Sequence, residues 1–377
     1  MPAGRLIAIG WKELAQLRRD RLTLAMVLAL PLMQLLLFGY AIDTDVRNIP
    51  LVALDHDASA ASRDLLRSLV ATGFFREAGA VRDYREIEVA FRRGQARVAL
   101  VVPPRFASDL RRGRPTAVQL VVDGSDPQTV GSATGNASAV VAARGASLSL
   151  ARLGASPGDL ASLPPLSLEP DVLYNPELRT AVFIVPGLVG VILTMTMVML
   201  TARAIARERE RGTLEQLIVS PVGRVELIVG KILPYVAIGY LQMTVVLAIG
   251  AWLFQVPLAG SLPLLYALAF LFISANLALG ILFSTLARTQ QQAMQMSFFF
   301  LLPNILLSGF MFPFEAMPRP AQLLAEALPL THFLRIIRGI TLKQAALGDL
   351  AGELGILALI LVVLVTLASL RFHKRID

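Results

Sequence analysis

Residues 203–223, RAIARERERGTLEQLIVSPVG, carry the densest pattern of functional groups in the chain, and the pattern suits docking better than catalysis. Arg207, Arg209 and Arg211 alternate with Glu208 and Glu210, which carries a helix out into water. Gly212 has no Cβ to penalise unusual backbone angles, so it can end or redirect that helix. Thr213, with Gln216 three residues on, forms a capping-box pattern that starts a new short helix. In that helix Leu214, Leu217 and Ile218 share one face, Glu215 lies beside them, and Pro221 ends the segment or starts the next. A short capped helix with an apolar face fits a groove on a soluble partner. The same residues would also serve as a solvated charged loop that only sets membrane topology.

Other reactive constellations are sparse. There is no cysteine, so neither disulfides nor thiol chemistry are available. No phosphate-binding G-x-x-x-x-G-K-[ST] loop is present, and LLSGF (306–310) lies in an apolar run, which rules it out as a nucleotide-signature loop. ATP and Mg would therefore have to be bound on another chain, and no cofactor is expected on this one. Asp55-His56-Asp57 follows a strand-like run and reads as a turn or helix cap rather than a metal site. His332 reads as an interfacial packing residue rather than a catalyst, and no nucleophile–base set stands out.

The elements that must position these residues are largely apolar. Hydrophobic residues make up 55% of the chain and charged residues 16%, too apolar for an ordinary soluble globule. Runs 22–42, 181–202, 232–254, 262–287, 293–313 and 354–370 contain no Asp, Glu, Lys or Arg. About 20 apolar residues span a hydrocarbon core, so six transmembrane helices are expected. The fifth, with Pro303 and Gly309, is expected to be bent or partly re-entrant, and the first reads as an uncleaved anchor.

Charge sets the orientation. Segments 1–21, 203–231, Arg288 and 371–377 together hold fifteen basic and seven acidic residues, which is the whole formal net charge of +8. Segments 43–180 and 314–353 hold sixteen and four of each sign. Cytoplasmic loops are enriched in Lys and Arg, so both termini and 203–231 are expected inside and 43–180 outside. The positive-inside pattern accounts for the basic balance, and nucleic-acid binding is not implied. Residues 1–21 hold a candidate interfacial helix (4–19), with Trp11 and basic residues suited to lipid headgroups.

Residues 43–180 alternate strand-like runs (50–55, 96–103, 117–123) with helical ones, which predicts an inserted extracytoplasmic α/β domain. A long small-residue helix over roughly 126–152 follows, and the Pro-rich stretch 156–171 reads as a linker or edge strand. Two short amphipathic helices, 318–329 and 330–344, form a hairpin before the last span. Within the spans the polar residues are Gln34, Gln242, Asn276, Gln295 and Asn304, with several Thr and Ser. These either bond helix to helix or line a translocation path. The lack of charged residues in the six runs weighs against an ion-coupled transporter.

ERERGTLEQLIVSPV, NPELRTAVFIVPGLVG and LSGFMFPFEAMPRPAQLLAEALPLTHFLRIIRGI together resemble permeases of the type-2 ABC exporter family, specifically members with a large extracytoplasmic domain after the first span. The resemblance covers nearly the whole chain, is strongest over 174–344 and weakest in the α/β domain. It implies a permease in the bacterial inner membrane that moves a drug, lipid or other amphiphile outward. It also implies two ABC ATPase domains as partners and a second permease subunit, identical or not. Carried over, Glu208, Glu210, Gly212, Thr213, Glu215, Gln216 and Leu217 become the element coupled to the ATPase, and 318–344 matches the family's paired helices between the last two spans. The α/β domain is large enough to receive a periplasmic adaptor. The competing classes are an ion-coupled transporter or channel, and a receptor with an external ligand-binding domain. A copurifying nucleotide-binding subunit separates these from the exporter.

Overall fold

The computed structural model describes residues 46–153, 166–210, 224–287 and 289–371. The predicted helix over 4–19, the span 22–42 with Gln34, the segment 211–223 and Arg288 lie outside the described residues.

The first half builds β1 (Ile49–Asp55), α1 (Ala60–Ala71), β2 (Phe75–Ala80), α2 (Tyr84–Arg92), β3 (Val98–Val102), α3 (Phe106–Arg112), β4 (Thr116–Asp123), α4 (Pro127–Leu153) and β5 (Leu166–Leu173). The strands form one mixed sheet in the order β2-β1-β3-β4-β5. β3 and β4 are antiparallel; the other neighbours are parallel. The three strands legible in the sequence, β1, β3 and β4, are the interior ones. Their Val, Leu and Ile face helices on both sides, which produces continuous apolar runs. Leu51, Val98, Leu100, Leu120 and Val122 pack with Leu65 and Leu69 of α1 and Phe106 of α3. Val52, Leu54, Val101 and Val121 pack on the opposite face with Ile87 and Phe91 of α2. β5 covers the end of the Pro-rich stretch and lies at the sheet edge; residues 156–165 lie outside the described residues. β2, FREAGA, went unpredicted because only Phe75 of its six residues is buried and no alternation marks it.

The helical half comprises α5 (Thr180–Glu210), α6 (Arg224–Leu253), α7 (Leu262–Leu286), α8 (Gln290–Leu307), a 3-10 turn (Phe314–Ala316), α9 (Arg319–Glu326), α10 (Pro329–Lys343) and α11 (Ala351–Arg371). Among the described residues, α5, α6, α7 and α11 hold stretches long and apolar enough to cross a membrane. α8 falls short: it opens with three glutamines and stops at Leu307, where Gly309 takes φ +83°. The predicted run 293–313 is therefore a helix for about two thirds of its length and irregular chain beyond.

The spanning stretches of α5 and α7 are each 61% buried, against 11% for α11, so these two form the centre of the helical half. They meet closely because Gly280 has no side chain: a Cβ there would stand 2.7 Å from the Val198 carbonyl oxygen and 2.9 Å from the Thr201 Cβ. Such small-residue contacts let membrane helices gain packing where burial from water supplies little. α10 completes the centre, with Phe333 stacked on Phe272 of α7 at 4.0 Å and Leu330 filling the space left by Gly190 of α5.

Gly280→Ala is expected to destabilise the protein by about 1–3 kcal/mol through overpacking, although Ala is the better helix former. Gly355→Ala on α11, where nothing lies within 4 Å of the added carbon, should be neutral or stabilising. Thermal unfolding of both variants in detergent tests the opposite signs.

Candidate functional site: helix ends, membrane amides and a charged joint

Among the residues expected to couple to an ATPase, 212–217 lie outside the described residues, and Glu208 sits in the last turns of α5. Glu210 ends α5. Its carboxylate accepts hydrogen bonds from the Gln290 backbone N–H at 2.8 Å and from the Gln290 side-chain amide at 2.5 Å. Thr289 caps the same helix start by accepting from the Gln292 N–H at 3.1 Å. An anionic carboxylate is favoured at a helix N-terminus, and the Gln290 side-chain and backbone bonds hold Glu210 below its ordinary pKa. This contact joins the end of α5 to the start of α8, a link the sequence did not suggest.

The membrane amides occupy three helices that pack around α5. Gln242 of α6 donates to the Thr196 hydroxyl of α5 at 3.4 Å. Asn276 of α7 donates to the Phe272 carbonyl of its own helix at 2.9 Å. Asn304 of α8 is buried, and Gln295 lies half-buried on the same helix. Gln242 Oε1, Asn276 Oδ1, both amide atoms of Asn304 and the hydroxyl of Thr194 are buried with no hydrogen-bond partner among the described residues. Unpaired polar atoms in apolar surroundings are costly. Thr194 is one of the several span Thr and Ser residues, and the sequence does not single it out because a threonine in an apolar run carries no signal of its own.

A larger polar assembly appears where the sheet meets α10. Asp123, the last residue of β4, is 1% exposed. Its Oδ2 accepts from Arg97 Nη1 at 2.9 Å and from Lys343 Nζ at the end of α10, and its Oδ1 accepts from the Ser125 N–H at 3.1 Å. Arg97 Nε also reaches Glu315 at 3.2 Å, and Lys343 donates to the Phe91 carbonyl at 3.1 Å. Burial alone would raise the Asp123 carboxyl, but Lys343 and Arg97 outweigh it and bring the group down to about 2. Nearby Asp126 shifts the other way, raised by burial and by Glu315. Beside them, Arg338 donates to the Gly309 carbonyl at 3.0 Å and lies over the Phe183 ring at 3.9 Å.

His332 proves to be a structural linker as well as a packed residue. It is fully buried; its Nε2–H donates to the Glu326 carbonyl at 2.9 Å and its Nδ1 meets Glu353 at 2.6 Å. Arg335 bridges Glu326 at 2.8 Å and Glu353 at 3.1 Å. These bonds fasten α9 and α10 to the first turn of α11. Asp55 and Asp57 are engaged as the turn reading expects: Asp55 accepts from the backbone of Asp57 and Ala58, and Asp57 from that of Ala107.

The arrangement contains helices that pack through bare glycine, polar atoms set among them and ion pairs at their ends. Residues 21–370 match the model of the ABC-2 family transporter proteins, and the chain belongs to that family. It is the transmembrane permease subunit of an ABC exporter, a multi-pass protein of the inner membrane. It is 32% identical over 372 residues, 99% of each chain, to the probable multidrug ABC transporter permease YbhR of Escherichia coli K12. It is 28% identical over 376 residues, 99% of this chain and 98% of the other, to YbhS of the same organism, which carries the same description. ABC transporter G family member 20 of Dictyostelium discoideum is 24% identical over 90% of this chain but only 46% of that protein. Family membership favours the exporter over the ion-coupled and receptor readings, and it implies ABC ATPase subunits as partners.

Glu353→Ala should cost about 1–3 kcal/mol, because it strips the buried His332 and the half-buried Arg335 of a shared, partly buried acceptor. Differential scanning calorimetry of the detergent-solubilised protein measures it. Asp123, with its folded pKa depressed, contributes stability that is fully present above the ordinary carboxylate range and is lost progressively as pH falls from that range through about 2. Asp123→Asn leaves Lys343 buried without its carboxylate, and burial already lowers that ammonium's pKa, so the destabilisation should shrink as pH rises from about 5 to about 8, as unfolding at several pH values will test.

Proposed function

We propose that the chain exports a drug, lipid or other amphiphile, driven by ATP hydrolysed with Mg on two partner ATPase domains. In this reading both termini and the 203–231 loop lie in the cytoplasm, and the α/β domain (43–180) lies outside among six spans. A second permease subunit, identical or not, completes the path. The element 208–221 receives the push of the closing ATPases, with Glu208, Glu210, Gly212, Thr213, Glu215, Gln216 and Leu217 at the contact. The observation that best supports this is the Glu210–Gln290 link. A displacement of 208–221 would reach α5 directly and α8 through Gln290, so two helices would move together. The polar atoms of Thr194, Gln242, Asn276 and Asn304 would find partners in water or substrate once the helices part. Gln34 and Gln295 belong to the same proposed path. The α/β domain, far from the ATPases, is the surface offered to a periplasmic adaptor.

Replacing Gly212 and Glu215 together should lower transport by about tenfold or more, the scale of a typical coupling free energy, while ATP hydrolysis continues. Transport and ATPase rates of the reconstituted complex test it, and unchanged transport would rule out the coupling assignment.

A further inference from the structure

The α/β half and the helical half each keep their own apolar core. The cluster centred on Phe272 and Phe333 is separate from the two clusters that flank the sheet. Among the described residues, what crosses between the halves is largely ionic, with Ala316 packed against a sheet cluster as an apolar contact. Lys343 meets Asp123, Glu315 meets Arg97, and Asp349 takes Arg92 at 3.6 Å and Arg93 at 3.1 Å. The residues paired in this way lie more than 200 positions apart in sequence.

An ionic joint behaves differently from an apolar one. Greasy surfaces can slide, because their attraction has no direction, whereas a buried ion pair is either made or broken. Such pairs are also poor stabilisers, since well-packed apolar residues often match them. Stability alone therefore does not account for placing Asp123 and Lys343 here. Their position suggests what they hold. Lys343 ends α10, the helix packed against the two central spans through Phe333 and Leu330. Asp123 ends β4, an interior strand of the sheet.

We propose that Asp123 and Lys343, steadied by Arg97 and Asp349, are positioning residues that make the α/β domain move with α10 during the transport cycle. The domain is then a driven part of the exporter. The inference rests on the chain being an exporter permease; the assignment of 208–221 does not enter it.

The absence of native cysteine makes the test direct. Spin labels go on Arg67→Cys in α1, Leu323→Cys in α9 and Trp252→Cys in α6, all exposed positions. Distances are measured pairwise in the assembled complex with its ATPase, without nucleotide and after trapping with ATP, Mg and vanadate. In the parent, the 67–323 distance should stay fixed while the 67–252 distance shifts on trapping. Asp123→Asn/Lys343→Met removes the pair without stranding either charge and leaves Arg97 with Glu315. It should keep the parent's unfolding temperature, widen the 67–323 distribution and lose the trapping-dependent 67–252 shift. Asp349→Asn is the second variant, because Arg92 and Arg93 both reach solvent and no buried charge is stranded; it should widen 67–323 to a lesser degree. Parent-like distances in both variants would overturn the proposal, as would a parent in which 67–252 never shifts. Should the double variant fail to fold, Asp349→Asn decides alone: a widened distribution supports the joint and an unchanged one rejects it. Retention of trapped ADP by the complex reports separately on the exporter reading.

Discussion

The close approach of α5 and α7 at Gly280 is the constraint on which the other contacts depend. In hydrocarbon, helices gain little from burying leucine against leucine, so association relies on backbones that come near enough for dense packing. With α5 and α7 locked, α10 can seat Phe333 on Phe272 and Leu330 on Gly190. With α10 seated, Lys343 comes under the sheet and His332 and Arg335 reach Glu353. Each later contact presupposes the earlier one.

Much of this was legible in the sequence, and the failures have physical reasons. Uncharged runs marked the four long apolar helices α5, α6, α7 and α11 because lipid tolerates little else, and interior strands declared themselves through apolar runs. β2 escaped because an edge strand with five exposed residues has no pattern to read. The fifth run, expected to bend at Pro303 and Gly309, loses its helix just before Gly309, which takes positive φ; the charge scan alone passes over Ser308 and Gly309 because both are uncharged. The Glu210–Gln290 bond and the charged joint unite residues far apart in sequence, and neither periodicity nor spacing encodes such a meeting.

The even charge balance of 314–353 takes on a different meaning in three dimensions. It served to place the segment opposite the basic loops. In the fold, Glu315, Lys343 and Asp349 are matched by Arg97, Asp123 and the Arg92–Arg93 pair, while Arg335 meets Glu326 and Glu353 within the segment. Most of these charges have specific partners, several of them in the α/β domain, while Arg338 instead donates to the Gly309 carbonyl. A topology rule that counts charges sees none of these pairings.

α5 is continuous for 31 residues, from Thr180 to Glu210. At about 1.5 Å per residue it extends about 46 Å, well beyond the hydrocarbon thickness. Its contact with Gly280, at Val198 to Ala202, lies roughly twice as far from the Thr180 end as from the Glu210 end. A rigid rod pivoting there is an unequal lever with its short arm toward Glu210. A displacement of about 1 Å at the short arm becomes about 2 Å at the other end, in the opposite direction. The site of the bare glycine would thus set the gearing of the machine.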